Sequence, residues 1–364
     1  MKNKTDRLKV VVAMSGGVDS SVAAALLKEQ DYQVSGATMR IWDGEIFPTR
    51  ERRHACYGPG EDEDIDDARR VARVLGIDFH VFDLRQEYRA EVLDYFSHEY
   101  RSGRTPNPCL RCNRRVKFDA LAQKVRDSGI EFDYFATGHY ARVEYNNSKQ
   151  RFLLRKARDL NKDQSYFLSF LSQAQLGQAL FPLGEYTKEE VRKIASHLRL
   201  GIDNKPDSQD FAAGDYSSLV GVTLAGPIMN KQGDVLGEHR GIPFYTIGQR
   251  RGLGISAKNP LYVTDIDPGA NAIVVGSKEE VYQDSFIATG LNWVAIEELK
   301  RKTEVKAKIR YLHDEAEATI EPLNGDSIHV KFKEPQMAIA PGQAVVFYDE
   351  DIVFGGGTIE RTRE

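Results

Sequence analysis

The 364-residue chain predicts an α/β protein with a parallel sheet covered by helices at the front, a small β-rich connector, and a closed β-barrel at the end. Three observations predict it. Strand-like and helix-like segments alternate through the first part of the chain, an arrangement that sets parallel strands between covering helices. From about residue 205 glycine-rich turns and short alternating strands take over. From about residue 285 period-two alternation dominates, as in strands that bury one face inside a barrel.

The elements follow in order. "LKVVVAM" is a short apolar run rich in β-branched residues, "SGGVDS" a turn, "VAAALLKEQ" a helix and "QVSGATMRIW" a second strand. "DIDDARRVARVLGI" reads as a helix leading into the strand "DFHVFDL", and "VKFDALAQKVRDSG" as a helix leading into one extended segment, "FDYFATGHYARV". The connector contains "PLYVTDIDPGANAIVVG"; the barrel strands are "VKAKIRYL", "AEATIEPL", "DSIHVKF" and "QAVVFYDEDIVFGGGTI". Domains are expected over residues 1–205, 206–284 and 285–364.

Composition narrows the class. Hydrophobic residues make up 41% and charged residues 29%, and no apolar run reaches the roughly 18 residues that cross a bilayer. The basic start "MKNKTDRLKVVVAMSGG" opens into a glycine loop and not a cleavage site, so a soluble cytoplasmic protein without a membrane partner is expected. Three cysteines, an odd count, argue against a secreted disulfide framework and for thiols with chemical or metal-binding work. The net charge of −4 gives no support for a nucleic-acid partner, which local clusters must supply: "RERR" at 50–53, "RCNRRVK" at 111–117, Arg250 with Arg251, and "KAKIR" at 306–310. Each alone reads as an ordinary solvated face.

"SGGVDSS" lies where a strand ends and a helix begins. Its adjacent glycines let backbone N–H groups turn toward an anion, and the helix start adds partial positive charge there. It is not the Walker loop, which needs Lys-Ser/Thr after its last glycine, where Val18 and Asp19 stand here. The plain alternative is a tight turn with a Ser or Asp helix cap. The motif resembles the pyrophosphatase loop of N-type ATP pyrophosphatases, whose domain is a Rossmann-like parallel sheet and which split ATP between its α- and β-phosphates to adenylate a substrate oxygen.

Within that superfamily, "TPNPCLRCNRRVKF", "FATGHYARV", "KDQSYFL", "FPLGEYTKEEVR", "KPDSQDF" and "YTIGQRRGLGI" occur in the order and spacing of the tRNA-specific 2-thiouridylases. The resemblance runs from about residue 8 to the C-terminus. It implies adenylation of the wobble uridine O2 of tRNA by ATP with Mg²⁺, then replacement of that oxygen by sulfur from a donor protein or inorganic sulfide. It implies that Ala13, Met14, Ser15, Gly16, Gly17, Val18, Asp19 and Ser20 hold ATP, with Asp19 catalytic and Met39 and Gly138 on the adenosine side. His139, Lys162, Asp163, Gln164, Arg310, Tyr311 and Gln343 match tRNA-contacting positions, and Asn107, Pro108 and Cys109 the segment at the target base.

The thiols depart from the family's pattern. Its active-site segment reads Asn-Pro-Asp-x-x-Cys-Asn, so Cys112 takes the nucleophile's place and Cys109 the aspartate's. The usual second cysteine is replaced by Ala212. Three arrangements stay open: a dithiol pair of Cys109 and Cys112, one carrying a persulfide and the other resolving it; a 4Fe-4S cluster on Cys56, Cys109 and Cys112; or a closed zinc site that adds His54. Two rival functions remain: an amide-forming ATP pyrophosphatase of the GMP or asparagine synthetase type, and a non-catalytic tRNA-binding protein.

Overall fold

The computed structural model describes residues 7–44, 55–203, 205–206, 210–212 and 217–361. The chain forms two compact units, one of residues 1–92, 109–215 and 351–353, the other of residues 93–108, 216–350 and 354–364.

The first unit is built on a five-stranded parallel sheet in the order Asp78–Asp83, Gln33–Arg40, Lys9–Ala13, Tyr134–Thr137, Ala179–Leu180. Lys9–Ala13 is central, and its Val10, Val11 and Val12 are at most 2% exposed, as a strand covered on both faces requires. Helix Val18–Glu29 carries small residues, Ala23, Ala24 and Ala25, into the core, which lets it lie close to the sheet. Helix Glu61–Leu75 buries the stripe Ile65, Ala68, Val71, Ala72 and Leu75, carries four acids in its first turn, and ends at Gly76 in the left-handed conformation.

Two expectations for this unit need correction. "FDYFATGHYARV" is not one extended segment: Tyr134–Thr137 belongs to the parallel sheet, and Ala141–Asn146 pairs antiparallel with Arg151–Lys156. The break falls at Gly138, where a Cβ would lie 2.5 Å from Ser20 N and 2.7 Å from Asp19 C, so the chain crosses directly over the start of the first helix. The helix expected from "VKFDALAQKVRDSG" begins earlier, at Pro108–Arg111, and runs through a π-helical stretch, Cys112–Leu121, before Ala122–Asp127.

The second unit contains the barrel. Six strands, Tyr282–Trp293, Ser327–Met337, Ala316–Pro322, Thr303–Lys308, Ala344–Asp349 and Ile352–Glu360, follow one another around it, and the last pairs with the first. Phe286, Ile320, Val330, Val345 and Phe347 fill its interior. A four-stranded sheet, ordered Val235–His239, Gly226–Met229, Ala272–Gly276, Tyr262–Asp267, packs Ile228, Val263, Ile266 and Ile273 into a separate core. "VKAKIRYL" supplies a strand only as far as Lys308. Beyond it the Arg310 guanidinium donates to the carbonyls of Ile247 and Ala338, at 3.2 and 3.1 Å. Among the described residues no helix is long and apolar enough to cross a membrane.

Candidate active site

The loop expected to hold phosphate is Ser15, Gly16 and Gly17 between strand Lys9–Ala13 and helix Val18–Glu29. Gly16 has φ +71°, and a Cβ there would stand 2.1 Å from the Asp64 carbonyl oxygen, so no other residue fits. Gly17 occupies the cap position in extended conformation, and no side chain caps the helix. Ser20 and Ser21 hydroxyls instead donate to the Gly17 carbonyl, at 3.3 and 2.8 Å, and Ser15 N donates to Ser20 Oγ at 3.1 Å. The loop's serines thus bond within the loop, and none of them caps the helix start.

Asp19, in the first turn, accepts from Lys188 Nζ on both oxygens at 2.8 Å and from Tyr140 OH at 2.8 Å. Thr187 and Glu190 form a capping box that fixes Lys188 as the first residue of helix Lys188–His197. Of the expected ATP residues, Met14 is buried and Met39 lies half-buried in strand Gln33–Arg40. Just beyond that strand Glu61 accepts from Ile41 N at 2.6 Å and Trp42 N at 2.9 Å; burial, outweighing these bonds, raises its carboxyl above the usual range.

The structure brings all three thiols into one neighbourhood, which the sequence could not show. Cys56 lies on strand Ala55–Tyr57, parallel to Asp210–Ala212 with Tyr57 opposite Ala212, so it sits on the strand beside the position where the family's second cysteine is missing. Tyr57 stacks on Tyr88 with ring centroids 5.5 Å apart. The Tyr88 hydroxyl is held well above its usual value by burial first and then by Cys112, Cys56 and Cys109. Lys117 feels the same three sulfurs: burial lowers its ammonium's pKa, and Cys112, Cys56 and Cys109 outweigh that to raise it. Burial pushes the Cys112 thiol up to about 11, against a smaller opposing pull from Lys117. The π-helical stretch explains the pairing, because an i→i+5 repeat sets residue 117 over residue 112. Cys112 is buried, Cys109 intermediate and Cys56 exposed. Among the described residues no three Cys, His, Asp or Glu side chains stand where they could hold a metal ion. His54, the "RERR" cluster at 50–53, and Asp207, Ser208 and Gln209 of "KPDSQDF" lie outside the described residues.

The residues matched to tRNA contacts divide. His139 Nδ1 lies 2.6 Å from Thr137 Oγ1, its ring near Phe118 and Phe181, and burial first and Lys117 second hold its imidazole well below the usual value, hence neutral at pH 7. Asp163 accepts from Ala157 N, Ser165 N and Ser165 Oγ, and Gln164 Oε1 accepts from Tyr140 N at 3.0 Å, so both side chains hold the fold. Lys162 and Asn107 are half-buried. In the second unit, Gln343 Nε2 donates to the carbonyls of Thr105 and Pro106, bracing the segment that leads to Asn107 and Pro108, and Tyr311 lies under Lys308 with 5.6 Å from Nζ to the ring centroid.

Sequence reasoning missed Lys188, Tyr140 and Lys117. A signal for Lys188 existed: a cation in a helix's first turn opposes the macrodipole, which calls for a nearby carboxylate.

A parallel-sheet domain with an uncapped glycine loop, joined to a β-barrel, defines a nucleotide-using enzyme class, and comparison with known proteins narrows it. Residues 8–212 match the family described as "tRNA methyl transferase HUP domain", residues 218–277 its PRC-barrel domain, and residues 283–359 the "Aminomethyltransferase beta-barrel domain". Curated relatives align nearly end to end. The tRNA-specific 2-thiouridylase MnmA of Natranaerobius thermophilus is 47% identical over 96% of this chain and 97% of its own, and that of Moorella thermoacetica 48% identical over 96% and 99%. That of Endomicrobium trichonymphae is 46% identical over 97% and 99%. The chain belongs to the tRNA-specific 2-thiouridylase family.

Proposed function

We propose that the chain is a tRNA-uridine 2-sulfurtransferase that consumes ATP to AMP and pyrophosphate and converts the wobble uridine of tRNA to 2-thiouridine. The observation that carries the reading is the uncapped phosphate loop in the same compact unit as three convergent thiols. The uracil O2 attacks the α-phosphate and expels pyrophosphate; a sulfur nucleophile then attacks C2, and the oxygen departs with AMP. The loop's N–H groups and the helix start receive the phosphates. Mg²⁺ fits, since a nucleotide-bound Mg²⁺ needs only one or two protein carboxylates besides phosphate and water, and Asp19 provides one at the loop. An amide-forming relative would leave the thiols without a task, and a mere tRNA binder would leave the loop without one.

For the sulfur carrier we favour a 4Fe-4S cluster held by Cys56, Cys109 and Cys112. Lys117 interacts electrostatically with all three sulfurs and offsets the charge of three thiolates, which supports this reading. Held by Cys56, Cys109 and Cys112, such a cluster would supply a metal centre able to carry sulfide for transfer. The absence of a ligating triad among the described residues favours the second reading, a persulfide on one cysteine of the Cys109/Cys112 pair. Its terminal sulfur would attack C2, and the partner thiol would then cleave the S–S bond, closing a disulfide that a reductant must reopen.

The first domain, residues 1–205, adenylates; residues 206–284 connect; and the barrel, residues 285–364, binds tRNA. Cys56→Ser tests the carrier. Under the cluster reading it loses iron and activity together, as Cys109→Ser and Cys112→Ser do; full activity without iron returns the chemistry to the pair.

A further inference from the structure

The ion pair at the phosphate loop does more than hold two helices. Lys188 presents its ammonium to both oxygens of Asp19, with its side chain 12% exposed against 29% for Asp19, while Tyr140 OH contacts the same carboxylate. A cation at this position works against its own helix's dipole, and the Thr187 capping box that puts it there stabilises the helix without needing a lysine. The carboxylate it satisfies is also the one that a nucleotide-borne divalent cation would use.

We propose that Lys188 is the resting counter-ion of Asp19, occupying the carboxylate until a divalent cation arriving with ATP displaces it. The inference rests on the ATP reading above. Without the ammonium, a bare carboxylate beside the uncapped loop would repel a tetra-anionic nucleotide and would collect free divalent ions. With it, the loop is neutral at rest. Metal that comes chelated to phosphate, and so anchored by the loop N–H groups as well, wins the carboxylate. The displaced ammonium is then free to face the phosphates. Tyr140 stays on Asp19 throughout and keeps the carboxylate oriented.

The test is a Mn²⁺ titration followed by electron paramagnetic resonance, using the full chain without and with a non-hydrolysable ATP analogue. Wild type should bind Mn²⁺ weakly alone and at least about ten-fold more tightly with the analogue, as expected for release of one charge-assisted contact. Lys188→Met should bind Mn²⁺ alone at least about ten-fold more tightly than wild type, a gain that adding Asp19→Asn abolishes. Lys188→Arg should stay at the wild-type level, and Lys188→Gln, which keeps a polar side chain, tests the site if the methionine variant fails to fold: it should show the same gain, and wild-type affinity there would contradict the assignment of the guard to Lys188. Unchanged Mn²⁺ affinity in Lys188→Met, with nucleotide binding intact in wild type, overturns this proposal alone. Failure of wild type to bind the analogue overturns the ATP reading and the displacement with it.

Discussion

At the residue scale, the proposed sulfur chemistry would depend on how a buried thiol is tuned. Cys112, pushed up to about 11 mainly by burial, is protonated at neutral pH in the iron-free chain. Its alkylation by iodoacetamide should therefore keep accelerating as pH rises from 8 to about 11, where an ordinary thiol levels off near 8.5. Lys117→Met removes the one cationic contribution that lowers the value, so Cys112 alkylation at pH 9 should slow further; an unchanged rate would show that the ammonium does not act on this sulfur. Asp19→Ala should abolish thiolation while leaving tRNA binding largely intact, measured by filter binding. Equal loss of tRNA affinity would misplace the loop's role. These residue-scale features differ in how legible they were. Cys109 and Cys112 announce themselves by spacing, but Cys56 stands on a strand paired with Asp210–Ala212, segments that lie about 150 residues apart, a long-range contact with no local signature.

At the scale of elements, the loop and its neighbours are tightly fitted. Gly16→Ala forces a Cβ against the Asp64 carbonyl at a positive φ and should destabilise the protein by about 1–3 kcal/mol, with loss of nucleotide binding, read by denaturant titration and analogue binding. A variant of wild-type stability would refute the close approach. The alternation of strand and helix made the parallel sheet legible, and its central strand Lys9–Ala13 carries the continuous apolar run Val10, Val11 and Val12. The break at Gly138 was not, since its cause is a backbone crossing over Asp19 and Ser20 and not a turn sequence. Nor was the π-helical stretch, whose "CNRRVKFDAL" reads as an ordinary helix. The end of the barrel strand at Lys308 was hidden for a similar reason: apolar Ile309 continues the alternation, while Arg310 bonds carbonyls distant in sequence. Arg310 thus spends at least part of its guanidinium on the fold, and Arg310→Ala should cost stability as well as any tRNA affinity.

At the scale of the whole molecule, net charge −4 gives no hint of an RNA ligand, so tRNA affinity must come from local cationic surfaces. Affinity should fall steeply with salt as condensed counterions are released, and removing residues from 285 onward should weaken tRNA binding strongly while the first domain still binds ATP. The most direct measurement of the central claim is a single incubation of the anaerobically purified protein with ATP, Mg²⁺, sulfide and unmodified tRNA, following pyrophosphate release and nucleoside composition together. The account predicts tRNA-dependent pyrophosphate release matched by 2-thiouridine at the wobble position, both lost in Asp19→Ala. Pyrophosphate release that proceeds equally without tRNA, or tRNA binding with neither product, would contradict it.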